Sequence, residues 1–240
     1  MLGTIKVATT NHIAQVVFAD HVPVTAQRLA QRHLQRLTRF GLVHRFDNVS
    51  QEHRRRGASG FVHGPTSAGL RLVGREPHRG QRKAWQPTPA RIDHWLAITD
   101  LYVCLAVDAR AGGPIIREFL VEGEAKRTFR DASLRQRFIY PDVLVRLLHD
   151  GLELSWFVEI DRGSEGLLPI AQKCRAYRAY ELSGLEQAQH AVFPGVLFVV
   201  PDEHRARRLG GVIAAQPASA RGLFQVARQS DALAALRTPT

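Results

Sequence analysis

The chain has 240 residues, 45% of them hydrophobic, with 33 Lys and Arg against 22 Asp and Glu and a net charge of +11. That length holds one large domain or two small ones around a buried core, and the charge favours polyanions, nucleic acid first. No run approaches the ~20 apolar residues of a membrane span, no signal-peptide pattern opens the chain, and Cys104 and Cys174 are too far apart for a metal spacing; a cytoplasmic protein without a membrane partner is expected.

Thr9-Thr10-Asn11 reads as an N-cap ahead of a helix over 12–18. Residues 20–23 form a turn, and Thr25 caps a second helix that runs to residue 40. Leu29, Leu34 and Leu37 fall near helical spacing there, and Gly41 is placed to end the helix. A strand over 42–46, a polar arginine-rich loop over 48–60 and a returning strand over 61–63 follow, and residues 65–69 turn into a short helix. This order predicts a winged helix-turn-helix DNA-binding domain over residues 1–74. Its second helix would present Gln27, Arg28, Gln31, Arg32 and Gln35 to a major groove. Arg54, Arg55 and Arg56 in the wing would contact the phosphate backbone. A complete unit of this kind has one more helix in front, and residues 1–7 are too short to supply it.

Residues 75–90, rich in Pro, Gly, Arg and Gln, read as a linker. The second domain, expected over 91–240, opens with a helix over 92–109 that Gly112-Gly113-Pro114 breaks. Strands are predicted over 115–121, 140–148, 152–160, 196–200 and 222–227, with helices over 167–182 and 203–215. His149-Asp150-Gly151 is a hairpin turn. The order predicts an α/β (α+β) domain with a mixed sheet flanked by helices.

Pro141-Asp142 opens one of these strands, and Glu159 and Asp161 share a face of the next. The hairpin lets Asp142 and Glu159 approach one another. Two carboxylates so placed suit Mg²⁺ or Mn²⁺, hard cations that take oxygen ligands, lower the pKa of a bound water and clamp a phosphate. Acid, acid and lysine in this order is the layout of a PD-(D/E)xK nuclease. The lysine normally stands two residues after the second acid, where this chain has Asp161. Lys173, on the next helix and on one face with Tyr177 and Tyr180, is the replacement candidate. The only lysines are Lys6, Lys83, Lys126 and Lys173, and a lysine kept among so many arginines points to a need for its compact charge. Asp161 would then either add a ligand or hydrogen-bond the Arg162-Gly163-Ser164 turn. Glu118, Glu122 and Glu124 share a face if the strand from residue 115 runs on, and Glu124 or Glu122 is the best third metal ligand. A nuclease fold kept only as the scaffold of an origin-binding or transcriptional protein is the competing reading. The sequence has no His-x-His, no His-x-x-x-His, no Walker loop and no Gly-x-Gly-x-x-Gly, which speaks against a rolling-circle relaxase site, an ATPase and a Rossmann enzyme.

Several pieces of the chain together resemble the replication-relaxation family. They are Ala8-Thr9-Thr10 with Ile13, residues 34–37 followed by Phe40-Gly41-Leu42-Val43-His44-Arg45, Ser67-Ala68-Gly69, residues 94–100, Pro141-Asp142, Phe157-Val158-Glu159-Ile160-Asp161-Arg162-Gly163, and Lys173 with Tyr177 and Tyr180. The resemblance spans roughly the whole chain. It implies a protein of a plasmid or integrated element, associated with plasmid replication and topological relaxation, whose second half is similar to the restriction-endonuclease-like fold. DNA and plasmid replication proteins are the partners it implies. A monomer of such a fold is expected to nick; cutting both strands would call for a homodimer.

Overall fold

The computed structural model describes residues 1–47, 49–50, 60–75, 87–131 and 133–238. The chain divides into two compact units, Met1–Arg110 and Ala111–Thr240.

The first unit opens with β1 (Ala8–Thr9) and α1 (Thr10–Val17). Thr9 is the cap: its hydroxyl accepts from the His12 amide at 3.1 Å, while its own amide donates to His12 Nδ1 at 3.3 Å. Next comes α2 (Pro23–Arg39), which begins two residues before the expected Thr25 cap because Pro23 takes the first turn, where its missing N–H costs nothing. Ala26, Ala30 and Leu34 form a buried stripe at steps of four, so α2 packs closely on α1. Strands β2 (Val43–Phe46) and β3 (Val62–Pro65) pair antiparallel, and β1 adds to β3, giving the order β1-β3-β2. Helix α3 (Ser67–Leu72) follows, capped by Thr66. Here Gly69 lies against the backbone of β2's approach: a Cβ on it would stand 2.1 Å from the Leu42 carbonyl oxygen.

Helix α4 (Pro89–Arg110) corrects the expected boundary at residue 91, because it belongs to the first unit. The Thr99 hydroxyl donates to the Val7 carbonyl at 2.6 Å, Asp100 meets His12 Nε2 at 2.9 Å, and Arg110 donates to the Gln15 and Val16 carbonyls at the end of α1. A cation at those orphan carbonyls is the favoured partner of a helix C-terminus. Helix α4 thus packs beside α1 from downstream in the chain. The expected linker lies largely outside the described residues.

The second unit is built on β4 (Ile115–Val121), β7 (Val143–His149), β8 (Leu152–Ile160), β9 (Gly195–Val200) and β10 (Phe224–Arg228), in the order β10-β9-β8-β7-β4. Strands β8, β9 and β10 are mutually parallel, while β7 is antiparallel to both of its neighbours. A two-residue turn joins β7 to β8, with Asp150 at φ 49° and Gly151 at φ 79°, the mirror-image turn whose twist matches the strands. β9 is buried along its whole length, as a strand covered on both faces must be. On one face Leu144, Phe157, Val196, Phe198 and Phe224 pack with Ile170, Cys174, Tyr177 and Tyr180 of α5 (Leu167–Leu182) and Leu209 of α7 (Glu203–Ala214). On the other, the Trp156 indole donates to the Leu236 carbonyl of α9 (Ala232–Leu236) at 3.1 Å. Burying a side chain of this size is worth about 1.5–3 kcal/mol. Two short helices, α6 (Leu185–His190) and α8 (Ala218–Arg221), complete the connections.

One departure from expectation lies between β4 and β7. The strand does not run on through Glu124: it stops at Val121, and Glu122–Glu124 form a 3₁₀ turn with Glu122 at φ 47°. Strands β5 (Arg127–Arg130) and β6 (Gln136–Ile139) then make a separate antiparallel ribbon. Phe129 and Ile139 face inward from it, Phe129 against Tyr180 with ring centroids 5.2 Å apart.

Candidate functional site

The register of β7 and β8 pairs Val143 with Val158, which sets Asp142 beside Glu159 at one end of the sheet. Asp142 Oδ2 accepts from the Ile160 amide at 2.7 Å, so its carboxylate is held across the end of β8. Glu159, 3% exposed, faces α5. Its Oε1 accepts from the Tyr177 hydroxyl at 2.6 Å, and its Oε2 accepts from Lys173 Nζ at 2.9 Å. Lys173 also meets Glu165 Oε2 at 3.1 Å. The helix supplies both donors because Lys173 and Tyr177 are four residues apart and point the same way. Ile170, Cys174 and Tyr177 anchor that flank in the core.

Burial, reinforced by the charge of Asp142, lifts the Glu159 carboxyl to about 7, against the pull of Lys173 and Tyr177. Burial works to lower Lys173, but the charge and hydrogen bond of Glu159 outweigh it, and the ammonium is held above the ordinary lysine range. Burial and the charge of Glu159 raise the Tyr177 phenol well above its usual value, so Tyr177 is a neutral donor. Burial also pushes the Cys174 thiol up to about 11, which suits an inert core residue.

Asp161 takes the second of its two expected roles. Its Oδ1 accepts from the Gly163 amide at 2.6 Å, and its Oδ2 accepts from Arg205 Nη2 at 2.6 Å and Nε at 3.0 Å. Both of its oxygens are therefore engaged away from the Asp142–Glu159 pair. Glu124 is exposed in the 3₁₀ turn, and among the described residues no three of His, Cys, Asp and Glu gather as a metal-holding group. Glu118 lies 3.6 Å from Arg146, within a network around the fully buried Glu186 that also takes in Arg127 and Tyr180.

Glu165 and Arg205 escaped the sequence reading. Arg205 left one usable signal: it stands four residues before Leu209, on the buried side of an otherwise arginine-rich helix, and is itself only 4% exposed. Glu165 left none, lying in a loop between glycines.

In the first unit, Arg28, Arg32 and Gln35 are exposed on α2, while Gln27 and Gln31 are half-buried. The Gln27 amide nitrogen is buried, which turns this residue towards the core. A cleft of about 850 Å³ runs along the helix, lined by Gln31, Gln35 and Arg39 on one side and by His44, Arg45 and Phe61 on the other. The Arg45 guanidinium lies 4.7 Å over the Phe61 ring. Burial lowers His44, and lowers His63 at the cleft to about 4, so both imidazoles are neutral at pH 7. Arg54, Arg55 and Arg56 lie outside the described residues.

Among the described residues no helix is long and apolar enough to cross a membrane. No curated protein and no solved structure matches the chain. The family model described as Replication-relaxation matches residues 1–196. That span takes in the paired helices of the first unit, Asp142, Glu159 and Lys173, and it ends before Arg205. The chain belongs to the replication-relaxation family, and its role lies in plasmid replication or relaxation.

Proposed function

We propose that this protein is a metal-dependent DNA-nicking endonuclease of a plasmid or integrated element, held on DNA by its first unit. The observation that carries the reading is the contact of Lys173 Nζ with Glu159 Oε2 beside Asp142. It joins two acids from neighbouring strands to a lysine, the set that the PD-(D/E)xK layout uses to cleave phosphodiesters. Asp142 and Glu159 would hold Mg²⁺ or Mn²⁺, which when bound supplies Lewis-acid activation of water and of the scissile phosphate. The donor set fits. Two close carboxylates repel one another enough to help lift Glu159, a divalent cation relieves that repulsion, and Mg²⁺ keeps several waters and needs few protein ligands.

The protein's own groups divide the remaining work. The protonated Lys173 ammonium stabilises negative charge building on the phosphate in the transition state. Tyr177 orients the Glu159 carboxylate from its buried side. Arg28, Arg32, Gln35, Arg39 and Arg45 of the first unit offer one helix face and one strand to a DNA groove and its phosphates, in the manner of a winged helix-turn-helix. DNA is thus the substrate, cytoplasmic plasmid replication proteins are the natural associates, and a single copy nicks.

A non-catalytic origin-binding protein is the second reading, favoured by the fact that both Glu159 oxygens are already engaged by Lys173 and Tyr177. Conversion of supercoiled plasmid with Mg²⁺ or Mn²⁺ separates the two. Open circles from the wild type but not from Asp142→Asn support the nickase. A clear gel shift without conversion, and no calorimetric Mn²⁺ binding that depends on Asp142, would leave the scaffold.

A further inference from the structure

The β5–β6 ribbon has an outward face that the proposed chemistry does not use. The register pairs Thr128 with Phe138 and Arg130 with Gln136, so these four side chains share that face, opposite the inward Phe129 and Ile139. Phe138 is 38% exposed and Tyr140 is 59% exposed. Their ring centroids lie 6.0 Å apart with the planes inclined at 38°. Lys126 sits beside both, its Nζ 4.2 Å from the Phe138 centroid and 5.0 Å from that of Tyr140. Arg130 is exposed on the same face, and Arg135 is exposed where the ribbon turns. At the tip, Asp131 accepts from the Ser133 and Arg135 amides and pairs with Arg137, which fixes the turn.

Two neighbouring aromatic rings that stay partly open to water beside Lys126 and the exposed Arg130 are not needed to hold a ribbon whose other face already packs in the core. They suit the bases of a strand whose faces are uncovered. In a duplex the base faces are hidden in the stack, whereas a single strand can lay successive bases on aromatic rings while its phosphates meet lysine and arginine. The platform's position sharpens the point. Tyr140 stands two residues before Asp142, within about 7 Å of chain, so a strand laid on the ribbon leads its backbone towards the acid pair.

We infer that the outward face of the ribbon, with Phe138 and Tyr140 as stacking rings and Lys126 and Arg130 as phosphate contacts, is a docking platform for single-stranded DNA that delivers an unpaired strand to the Asp142–Glu159 site. This deepens the proposed nuclease function and rests on that reading for the meaning of the delivery, but the binding itself needs no cleavage.

The test uses the full chain in EDTA, where no metal-dependent cutting occurs. Fluorescence anisotropy with a fluorescein-labelled oligodeoxythymidine of about twelve nucleotides is compared for the wild type, Phe138→Ala, Tyr140→Ala, the double variant and Tyr140→Phe. Each alanine variant is expected to weaken single-strand binding about tenfold, and Tyr140→Phe to retain it, since stacking needs the ring and not the hydroxyl. Binding of a duplex of the same length should change less than about twofold, because phosphate contacts dominate there. On the wild type, an oligonucleotide carrying 5-iodouracil should photo-crosslink to the tryptic peptide 138–146. That readout is independent of whether the variants fold. Unchanged binding by the double variant, or crosslinks confined to peptides of α2, would overturn the platform. Inactive protein in the plasmid assay with intact ring-dependent binding would instead remove the nickase reading and leave the platform standing.

Discussion

Lys173 Nζ reaches Glu159 Oε2 at 2.9 Å from fourteen residues downstream, across the gap between a helix and a strand. In the usual layout the lysine follows its acid on the same strand and inherits the strand's geometry. Here Asp161 fills that strand position and turns to Arg205, so the ammonium arrives on α5 instead. The charge is in place, and a helix held by Ile170, Cys174 and Tyr177 sets where it stands.

Replacing Lys173 should therefore act on chemistry more than on fold. Lys173→Ala is expected to lower nicking about 100-fold, the scale of removing one transition-state charge donor, with DNA affinity within about twofold. Lys173→Arg should not restore the rate, because a planar guanidinium does not replace a compact ammonium wedged between Glu159 and Glu165. Single-turnover cleavage beside gel-shift titration reads both quantities, and a full rate in Lys173→Ala would remove this residue from the mechanism.

The raised Glu159 carboxyl predicts a pH dependence of stability with a definite sign. The folded value, about 7, lies above the ordinary 4.5, so the folded state binds this proton more tightly than the unfolded state does. Its stabilising contribution is complete below about 4.5 and is lost as pH rises through about 7. Glu159→Gln cannot titrate and should flatten the melting profile between those limits, gaining roughly 5 °C on the wild type towards pH 8. Mn²⁺ should raise the wild-type Tm more at pH 8 than at pH 5, and should do so less in Asp142→Asn. Parallel pH profiles for the wild type and Glu159→Gln would contradict the assignment.

Asp161 and Arg205 form a pair whose side chains are 2% and 5% exposed. Arg205→Ala would strand a buried carboxylate and should cost about 3–5 kcal/mol in urea unfolding. Asp161→Asn combined with Arg205→Met should recover much of that loss, since no charge is then left unpaired. Below its melting temperature the double variant should still nick, because Asp161 has both oxygens committed elsewhere. Loss of cleavage in a folded double variant would return Asp161 to the metal site.

Gly69 offers a test confined to the first unit. An added methyl would stand 2.1 Å from the Leu42 carbonyl oxygen, a contact with backbone that no rotamer relieves. Gly69→Ala is expected to destabilise this unit by about 1–3 kcal/mol, the usual scale of overpacking. Hydrogen exchange should quicken in α3 and β3 while β8 and β9 keep their protection, and uniform protection would show that the backbone yields.

Much of the second unit was legible because its elements obey one strong period. β4, β8 and α5 fall at the predicted bounds, since apolar residues there either alternate or recur every three to four positions. The meeting of Asp142, Glu159 and Lys173 followed from the strand register and from the helix face shared with Tyr177. The ribbon was not legible: Arg-Thr-Phe-Arg and Gln-Arg-Phe-Ile each offer too few inward apolar residues to stand out, and the upstream strand seemed free to continue. The unit boundary was missed for the opposite reason. Residues Ile92, Trp95, Leu96, Ile98 and Leu101 wrap α4 on several sides, so no single face told which neighbour it serves. Arg205 hid among arginines that are mostly solvated, and only burial distinguishes it.

The sheet of the second unit has two unlike ends. At one, β7 and β8 are tied by the Asp150-Gly151 turn, which leaves no slack. At the other, the last residues of β4, β8, β9 and β10 come to the edge where β7 begins, and each is released into a longer excursion. The taut end keeps Asp142 and Glu159 aligned, while the open end sends out the segments that carry Lys173 back to Glu159 and Arg205 back to Asp161.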